Sequence, residues 1–518
     1  MKRVIFFSLF LLGWAVCVGA AERSIPVDKA YLVFPISNDA GETTVTITCD
    51  KILEHRFQIT FADSVEQADW FAFLDVREYA GKTLVLSAEK LPEGIRCMDE
   101  VPRKEPLYGE SVRPQLRFSQ QQGWNNDPNG LCFCKGKYHF FWQSNPFGRK
   151  WDNMYWGHAV SEDLVHWTEL GLTLRPHGGD TPKEQRNISM ANGKCFSGSG
   201  MAVGDALAFC FTDTDRGECS AFSMDGKTLE YGTLLIPHKG RDPKMFKYEG
   251  QLFWAVYDEE KEKNISFYTS RKNGCEKTGE IAGFHECPEI FQLPVEGTGE
   301  TKWVLFGADA RYMVGQFNGQ TFVPDHEGKH RLHYGNFYAS QCFNNLPNGR
   351  VVQIGWAQMN LPNTVFNQGF SLPLELTLKS TPNGVRLFAN PVAELETLRT
   401  ATQTLRAGEP LVLAGFGDGQ LYDVTVRFPA NADAVLRFGE NAVHYNAEKK
   451  MLEDIPVAPE ADGGITVRVV IDRPMYEIVV NHGAAYRTQP RRDMGKKFEK
   501  IMLEGSGSGT IHAMKSIW

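Results

Sequence analysis

Short runs rich in β-branched and aromatic residues, many of them alternating apolar with polar, recur along almost the whole chain: TTVTITC (43–49), TLVLSA (83–88), YHFFWQ (138–143), LFWAVY (252–257) and ITVRVVI (465–471). A strand sends successive side chains to opposite faces, so these runs predict half-buried or fully buried strands. Gly, Asn and Asp turns bound them, and long amphipathic helical stretches are scarce, so an all-β protein is expected.

Three blocks divide the chain. Residues 21–110 form a strand-rich N-terminal block, expected to be sandwich-like, that ends in the turn-rich KEPLYGESVRPQ. In it, Trp70 and Phe71 of ADWFAFLD read as sandwich core, with an exposed sugar platform as the alternative. Residues 386–518, beyond the polar STPNG turn, run in short strands such as LYDVTVRF, AVLRFG and YEIVVN, and predict a C-terminal β-sandwich. The middle block, 111–385, repeats a strand-turn-strand pattern at AVSEDLVHW from Ala159, AFSMDGKTLEY from Ala221, FYTSRKNGCEKTG from Phe267 and MVGQFNGQTF from Met313. The starts lie roughly 45 to 60 residues apart, within reach of the period of a β-propeller blade. A large sandwich with ordinary hairpins is the alternative.

The first 20 residues carry Lys2 and Arg3 ahead of an apolar run from Val4 to Val18 and then small residues, the plan of a signal peptide cleaved near Ala20. The run is shorter than the ~20 apolar residues of a membrane span. Export to the periplasm or the extracellular side is expected; a lipid anchor at Cys17 is the alternative, disfavoured by the bulky Val16 before it. The formal charge of -8 and the lack of a basic run argue against nucleic acid and suit a neutral substrate. Of 11 cysteines, only Cys132 and Cys134 stand close, on one face of a strand rather than around a metal. Buried free thiols, with at most one bridge, are expected.

Three acids of the middle block sit in unusual settings: Asp127 in WNNDPNG, Asp242 in GRDPKMF and Glu286 in FHECPEIF, each closely followed by proline. Proline restricts the backbone of the residue before it and helps aim a side chain. The inner strands of propeller blades converge on a central channel, so acids far apart in sequence can meet there. A glycosidase needs two carboxyl groups about 5 to 10 Å apart.

With these motifs the chain resembles the glycoside hydrolases that include invertase, levanase and inulinase, glycoside hydrolase family 32. WNNDPNG is similar to that family's nucleophile motif, CFSGS from Cys195 to its sugar-contacting segment, GRDPK to its transition-state stabiliser and HECPE to its acid/base motif. WQSNP, WDNMYWGHAVSEDLVHW, GNFYASQCF, IGWAQ, SLPLELTL and NPVAELETLR extend the resemblance over about residues 113 to 400 and, more weakly, into the C-terminal block.

The resemblance implies a five-bladed β-propeller followed by a β-sandwich, and retaining hydrolysis of β-fructofuranosides such as levan, inulin, fructo-oligosaccharides and sucrose, with no cofactor and no metal. It implies Asp127 as nucleophile, Glu286 as acid/base and Asp242 as stabiliser. Trp124, Trp151 and Phe196 are expected to wall the sugar pocket, with Asn125, Asn126, Gln143, Ser197, Arg241 and Trp356 as further substrate-binding residues. Asn125 and Asn126 should hydrogen-bond around the nucleophile, and Arg241 should keep Asp242 charged. The apolar neighbours Phe284, Cys287 and Pro288 should raise the pKa of Glu286. His158 and His166 are expected to be structural. Asn125, Tyr155 and Leu374 depart from the family pattern, which bears on the pocket rim and the leaving-group side. A fructosyltransferase on the same scaffold and a non-catalytic fructan-binding protein are the rival readings.

Overall fold

The computed structural model describes residues 20–176, 190–191, 193–237, 240–261, 263–272 and 274–518. The apolar leader and Cys17 lie outside the described residues.

All five runs quoted first are strands, and the alternation is seen in their burial: in Glu42–Cys49, Val45, Ile47 and Cys49 face a core while the threonines between them do not. The N-terminal strands form two antiparallel sheets, one ordered Ala21–Pro26, Thr83–Ala88, Glu42–Cys49, Ile52–Thr60 and the other Trp70–Asp75, Tyr31–Ile36, Arg96–Met98. Their facing apolar side chains make one core. Trp70 lies in that core with its indole N–H on Asn38 Oδ1 at 3.0 Å, whereas Phe71, on the opposite face of the same strand, is only half-buried and outside it.

Five antiparallel four-stranded units follow. Their first strands are Gly123–Cys134, Cys195–Val203, Gly240–Tyr248, Glu289–Glu296 and Phe337–Cys342. Each touches the first strand of the next unit, and the fifth touches the first, so the five close into a ring around an axis. This is a five-bladed propeller. The first two inner strands approach backbone to backbone: a Cβ on Gly200 would stand 2.4 Å from the Gly130 carbonyl oxygen. The four repeating segments of the middle block each span the turn between the third and fourth strands of blades one to four. The fifth blade ends with Gly384–Pro391, paired along Leu374–Thr381, so the expected boundary after residue 385 falls inside a propeller strand.

Two further sheets, of seven and six strands, enclose the C-terminal core. The propeller is tied to them by Arg117, fully buried against Asp472 (3.1 Å) and Glu477 (2.7 Å), and by His333–Gly335, which adds in parallel to Ala485–Pro490. The N-terminal sandwich docks on the first blade. Phe57 stacks on Phe147 with ring centroids 3.7 Å apart, and the backbone N–H and C=O of Gln58 both bond the Asn153 amide, at 2.7 and 2.9 Å. Tyr155, one of the departures from the family pattern, is buried in this junction with its hydroxyl on the Arg56 carbonyl rather than on a pocket rim; Leu374, another, is buried in the core of the fifth blade.

The ten cysteines from Cys49 to Cys342 are all free thiols, and Cys132 and Cys134 are buried beside blade two. Among the described residues no helix is long and apolar enough to cross a membrane.

Candidate active site

Four of the five inner strands break their ladder register at the same end of the ring: between Asn125 and Pro128, Cys195 and Gly198, Arg241 and Lys244, and Tyr338 and Gln341. A bulge bends its strand and re-aims a side chain. Asp127, Phe196, Ser197 and Asp242 all sit within these breaks. Asp242 has φ +62°, and Glu286 and Cys287, in the turn before the fourth blade's inner strand, have φ +48° and +38°. Left-handed backbone at non-glycine residues costs on the order of 1 kcal/mol or more each and concentrates at functional sites.

The three acids come together through their neighbours. Ser197 Oγ donates to Asp127 Oδ2 at 2.6 Å. The Cys287 thiol lies 3.5 Å from Oδ2 of Asp127 and 3.5 Å from Oδ2 of Asp242, and its backbone N–H donates to Asp242 Oδ2 at 3.2 Å. Arg241 stands 3.6 Å from Asp242 through Nε, gives one terminal nitrogen to Glu286 Oε1 at 2.5 Å and the other to Glu259. Tyr338 donates to Glu286 Oε2 at 2.6 Å. Behind the cluster, Thr212 Oγ1 accepts the Asp242 N–H at 3.0 Å and donates to the buried Glu218 at 2.8 Å.

Two electrostatic expectations are reversed. Burial and the neighbouring Asp127 carboxylate outweigh Arg241 at Asp242, whose pKa is pushed up to about 7, so Arg241 does not keep it charged. Burial also pushes Glu286 up, but the Tyr338 hydroxyl and the Arg241 guanidinium together outweigh it, and its pKa lies below the usual carboxylate value. The apolar residues beside Glu286 in sequence do not decide: Phe284 turns into the blade core. Burial raises Asp127, opposed by hydrogen bonds from Ser197, Asn126 and Cys287. Burial thus favours the protonated form of Asp242 and Asp127, whereas Glu286 is held towards its ionised form.

Aromatic rings stand on two sides. Trp124 donates its indole N–H to Asn126 Oδ1 at 3.2 Å and meets Trp356 edge to face at 6.1 Å; Trp356 in turn meets Tyr338 at 6.2 Å and bonds Gln368 at 3.0 Å. On the other side Phe196 packs against Trp151 at 5.9 Å, and Trp151 is 48% exposed with Lys194 over its ring at 4.9 Å. Gln143 lies behind Ser197, bonding the Cys195 carbonyl at 2.9 Å. Asn125 is not brought to the nucleophile; its amide goes to the carbonyls of Asn126 and Gly369. His158 is buried against Phe141 and His139, and burial keeps it neutral, whereas His166 caps a surface turn through Asp163.

Sequence reasoning assigned no role to Tyr338, Thr212 or Gln368, and took Cys287 only as an apolar neighbour. Tyr338 lies in the quoted GNFYASQCF segment, but nothing there marks its hydroxyl as the partner of a carboxyl 52 positions away. Thr212 and Gln368 carry no local signal.

Residues 117–391, more than half of the chain, match the family described as Glycosyl hydrolases family 32 N-terminal domain. A levanase of Bacillus subtilis is 30% identical over 494 residues, covering 79% of this chain and 72% of its own. The chain belongs to glycoside hydrolase family 32. An extracellular exo-inulinase of Aspergillus niger is 30% identical over 353 residues, 55% of this chain and 65% of that protein, so the match spans just under two thirds of this relative. Among solved structures, an exo-inulinase from Aspergillus awamori superposes with a TM-score of 0.67 at 22% identity, over 79% of this chain and all of that one. A fructofuranosidase from Schwanniomyces occidentalis, complexed with fructose, gives 0.67 at 21%, over 80% of this chain and all of that one. These likenesses carry the family fold; the family 32 match itself begins at residue 117, beyond the N-terminal sandwich.

Proposed function

We propose that the protein is an exported glycoside hydrolase that releases fructose from β-fructofuranosides, levan, inulin, fructo-oligosaccharides or sucrose, by a retaining double displacement. The observation that carries this reading is the convergence of carboxyl groups from three parts of the ring, with Cys287 between Asp127 and Asp242 and Arg241 between Asp242 and Glu286.

Asp127 attacks the anomeric carbon of a terminal fructosyl unit as Glu286 gives its proton to the departing oxygen. Water then attacks the fructosyl ester while Glu286 takes one of its protons, and Asp127 leaves as carboxylate. Asp242 binds ring hydroxyls and offsets the positive charge that develops on the ring. Ser197 steadies Asp127, and Trp124, Trp356, Phe196 and Trp151 supply the apolar walls on which a sugar face packs. The likeness to a levanase and an exo-inulinase favours fructans as substrates, and the extracellular placement of that exo-inulinase agrees with export through the leader at residues 1–20.

The test is product release from sucrose, inulin and levan by wild type and Asp127→Asn. Fructose from wild type and almost none from the variant is the expected result; equal release from both would sink the reading. N-terminal sequencing of the protein recovered outside the cytoplasm should begin just after Ala20.

A further inference from the structure

A groove of about 560 Å³ with both polar and apolar lining runs along the seam between the N-terminal sandwich and the propeller. Asn38, Gln58 and Thr60 line it from the sandwich; Arg149, Asp152 and Asn360 line it from the propeller. Its volume lies within the range of small-molecule sites. The groove exists only because the two parts are docked, and the bonds that Gln58 contributes to the docking are made by its backbone, not by its side chain. That side chain is left exposed to the groove.

The groove neighbours the strand that carries the candidate nucleophile. Two of its other lining residues, Asn145 and Asn367, flank Trp124 on the neighbouring strands, one on each side. From Asp127 the path leads through Ser197 and Phe196 to the half-exposed indole of Trp151, and Asp152, next in the chain, is already in the groove. Its two cations, Arg149 and Lys150, face three acids, Asp39, Glu42 and Asp152, the last of which is already paired with Lys194, and amides supply much of the rest of its polar surface. Such a lining selects a neutral, polyhydroxylated chain over an anion or a basic peptide.

We propose that this groove is a distal subsite in which the N-terminal sandwich, through Gln58, Thr60 and Asn38, holds sugar units of a fructan beyond those at the scissile bond. The inference rests on the fructan-hydrolase reading and extends it to a domain that the family match does not include. A substrate long enough to cross the seam gains contacts there, and sucrose does not reach it.

The experiment compares full-length wild type, Gln58→Arg and Thr60→Arg on five-unit levan and inulin oligosaccharides and on sucrose. Gln58 is exposed and Thr60 half-buried on the same strand face, and both substitutions fill the groove with a longer, charged side chain. For the oligosaccharides kcat/KM should fall roughly tenfold, through KM, as one amide contact and room for the chain are lost. For sucrose it should stay within about twofold, which also reports an intact fold. An unchanged ratio of oligosaccharide to sucrose kcat/KM overturns the subsite, whether both values hold or both fall. Calorimetric titration of Asp127→Asn and Asp127→Asn/Gln58→Arg with the same oligosaccharides separates this from the activity reading. If wild type cleaves none of the substrates, the activity reading fails and calorimetry alone decides: weaker binding in the double variant supports the subsite, and equal or absent binding overturns it.

Discussion

Tyr338, on the inner strand of the fifth blade, gives its phenolic proton to Oε2 of Glu286, in the turn before the inner strand of the fourth, at 2.6 Å. Together with Arg241 it holds the carboxyl in its ionised form below the usual value, against burial. A general acid held ionised limits turnover from the alkaline side, because only the protonated fraction can act. In Tyr338→Phe this support is lost and the pKa of Glu286 rises. The alkaline limb of the kcat/KM profile should move to higher pH by about half to one unit. A profile that keeps its alkaline limb would show that Tyr338 does not set this ionisation.

The short bond from Ser197 to Asp127 acts in the opposite direction, lowering a carboxyl that burial raises. Ser197→Ala removes a hydrogen bond to a charged group, worth about 1.5–3 kcal/mol. The acid limb of kcat/KM should move to higher pH, and the maximum should fall roughly tenfold to a hundredfold. Titration of activity between pH 4 and 8, on the scale of ordinary and perturbed carboxyl values, checks both.

Asp242 shows what the site costs the fold. Its carboxyl titrates at about 7 in the folded protein against 3.8 in an ordinary setting. Between those values the unfolded chain gives up its proton first, so stability drains away as pH rises, and the deficit is complete above the folded value. Asp242→Asn should be nearly inactive yet melt a few degrees higher than wild type at pH 8. The gain should vanish below about pH 4, where both states are protonated. Calorimetric Tm across pH is the measurement; a gain that does not depend on pH would contradict this account.

In the ring axis, Lys244 and Glu289 form an ion pair at 2.7 Å, both almost completely buried, and each also bonds the backbone of Cys342. The pair ties together the inner strands of blades three, four and five. Lys244→Met strands the carboxylate and should destabilise by about 3–5 kcal/mol. Lys244→Met/Glu289→Gln keeps an amide acceptor for the Cys342 N–H and should recover most of that loss. Equal melting of the two variants would mean that the charge on Glu289 is not what matters.

Much of the propeller was legible because its blades repeat a local device. Asp163, Asp225 and Asn318 each accept backbone N–H groups two and three residues on, in the turn between the third and fourth strands of their blades. Such turns are written in contiguous residues and can be read from them. The acids were legible for the same reason, each lying in a short motif with proline nearby. The charge balance was not. Arg241 is next to Asp242 in sequence, yet its guanidinium approaches Glu286 more closely, because the bulge separates neighbours along the strand and aims them differently. Nor could sequence predict that Tyr155 packs under the N-terminal sandwich or that Asn125 turns towards Gly369. Those placements depend on partners far away in the chain.

Phe366–Asn367 pairs in parallel with Gly123–Trp124, and Asn125 reaches the Gly369 carbonyl. The strand that carries Asp127 is therefore seated by a segment synthesised some 240 positions later. A ribosome-bound chain that has emerged only as far as blade four still lacks this support, as well as Tyr338. Hydrolytic competence is thus acquired late, when the ring shuts, and long-range closure of this kind makes slow maturation the expectation.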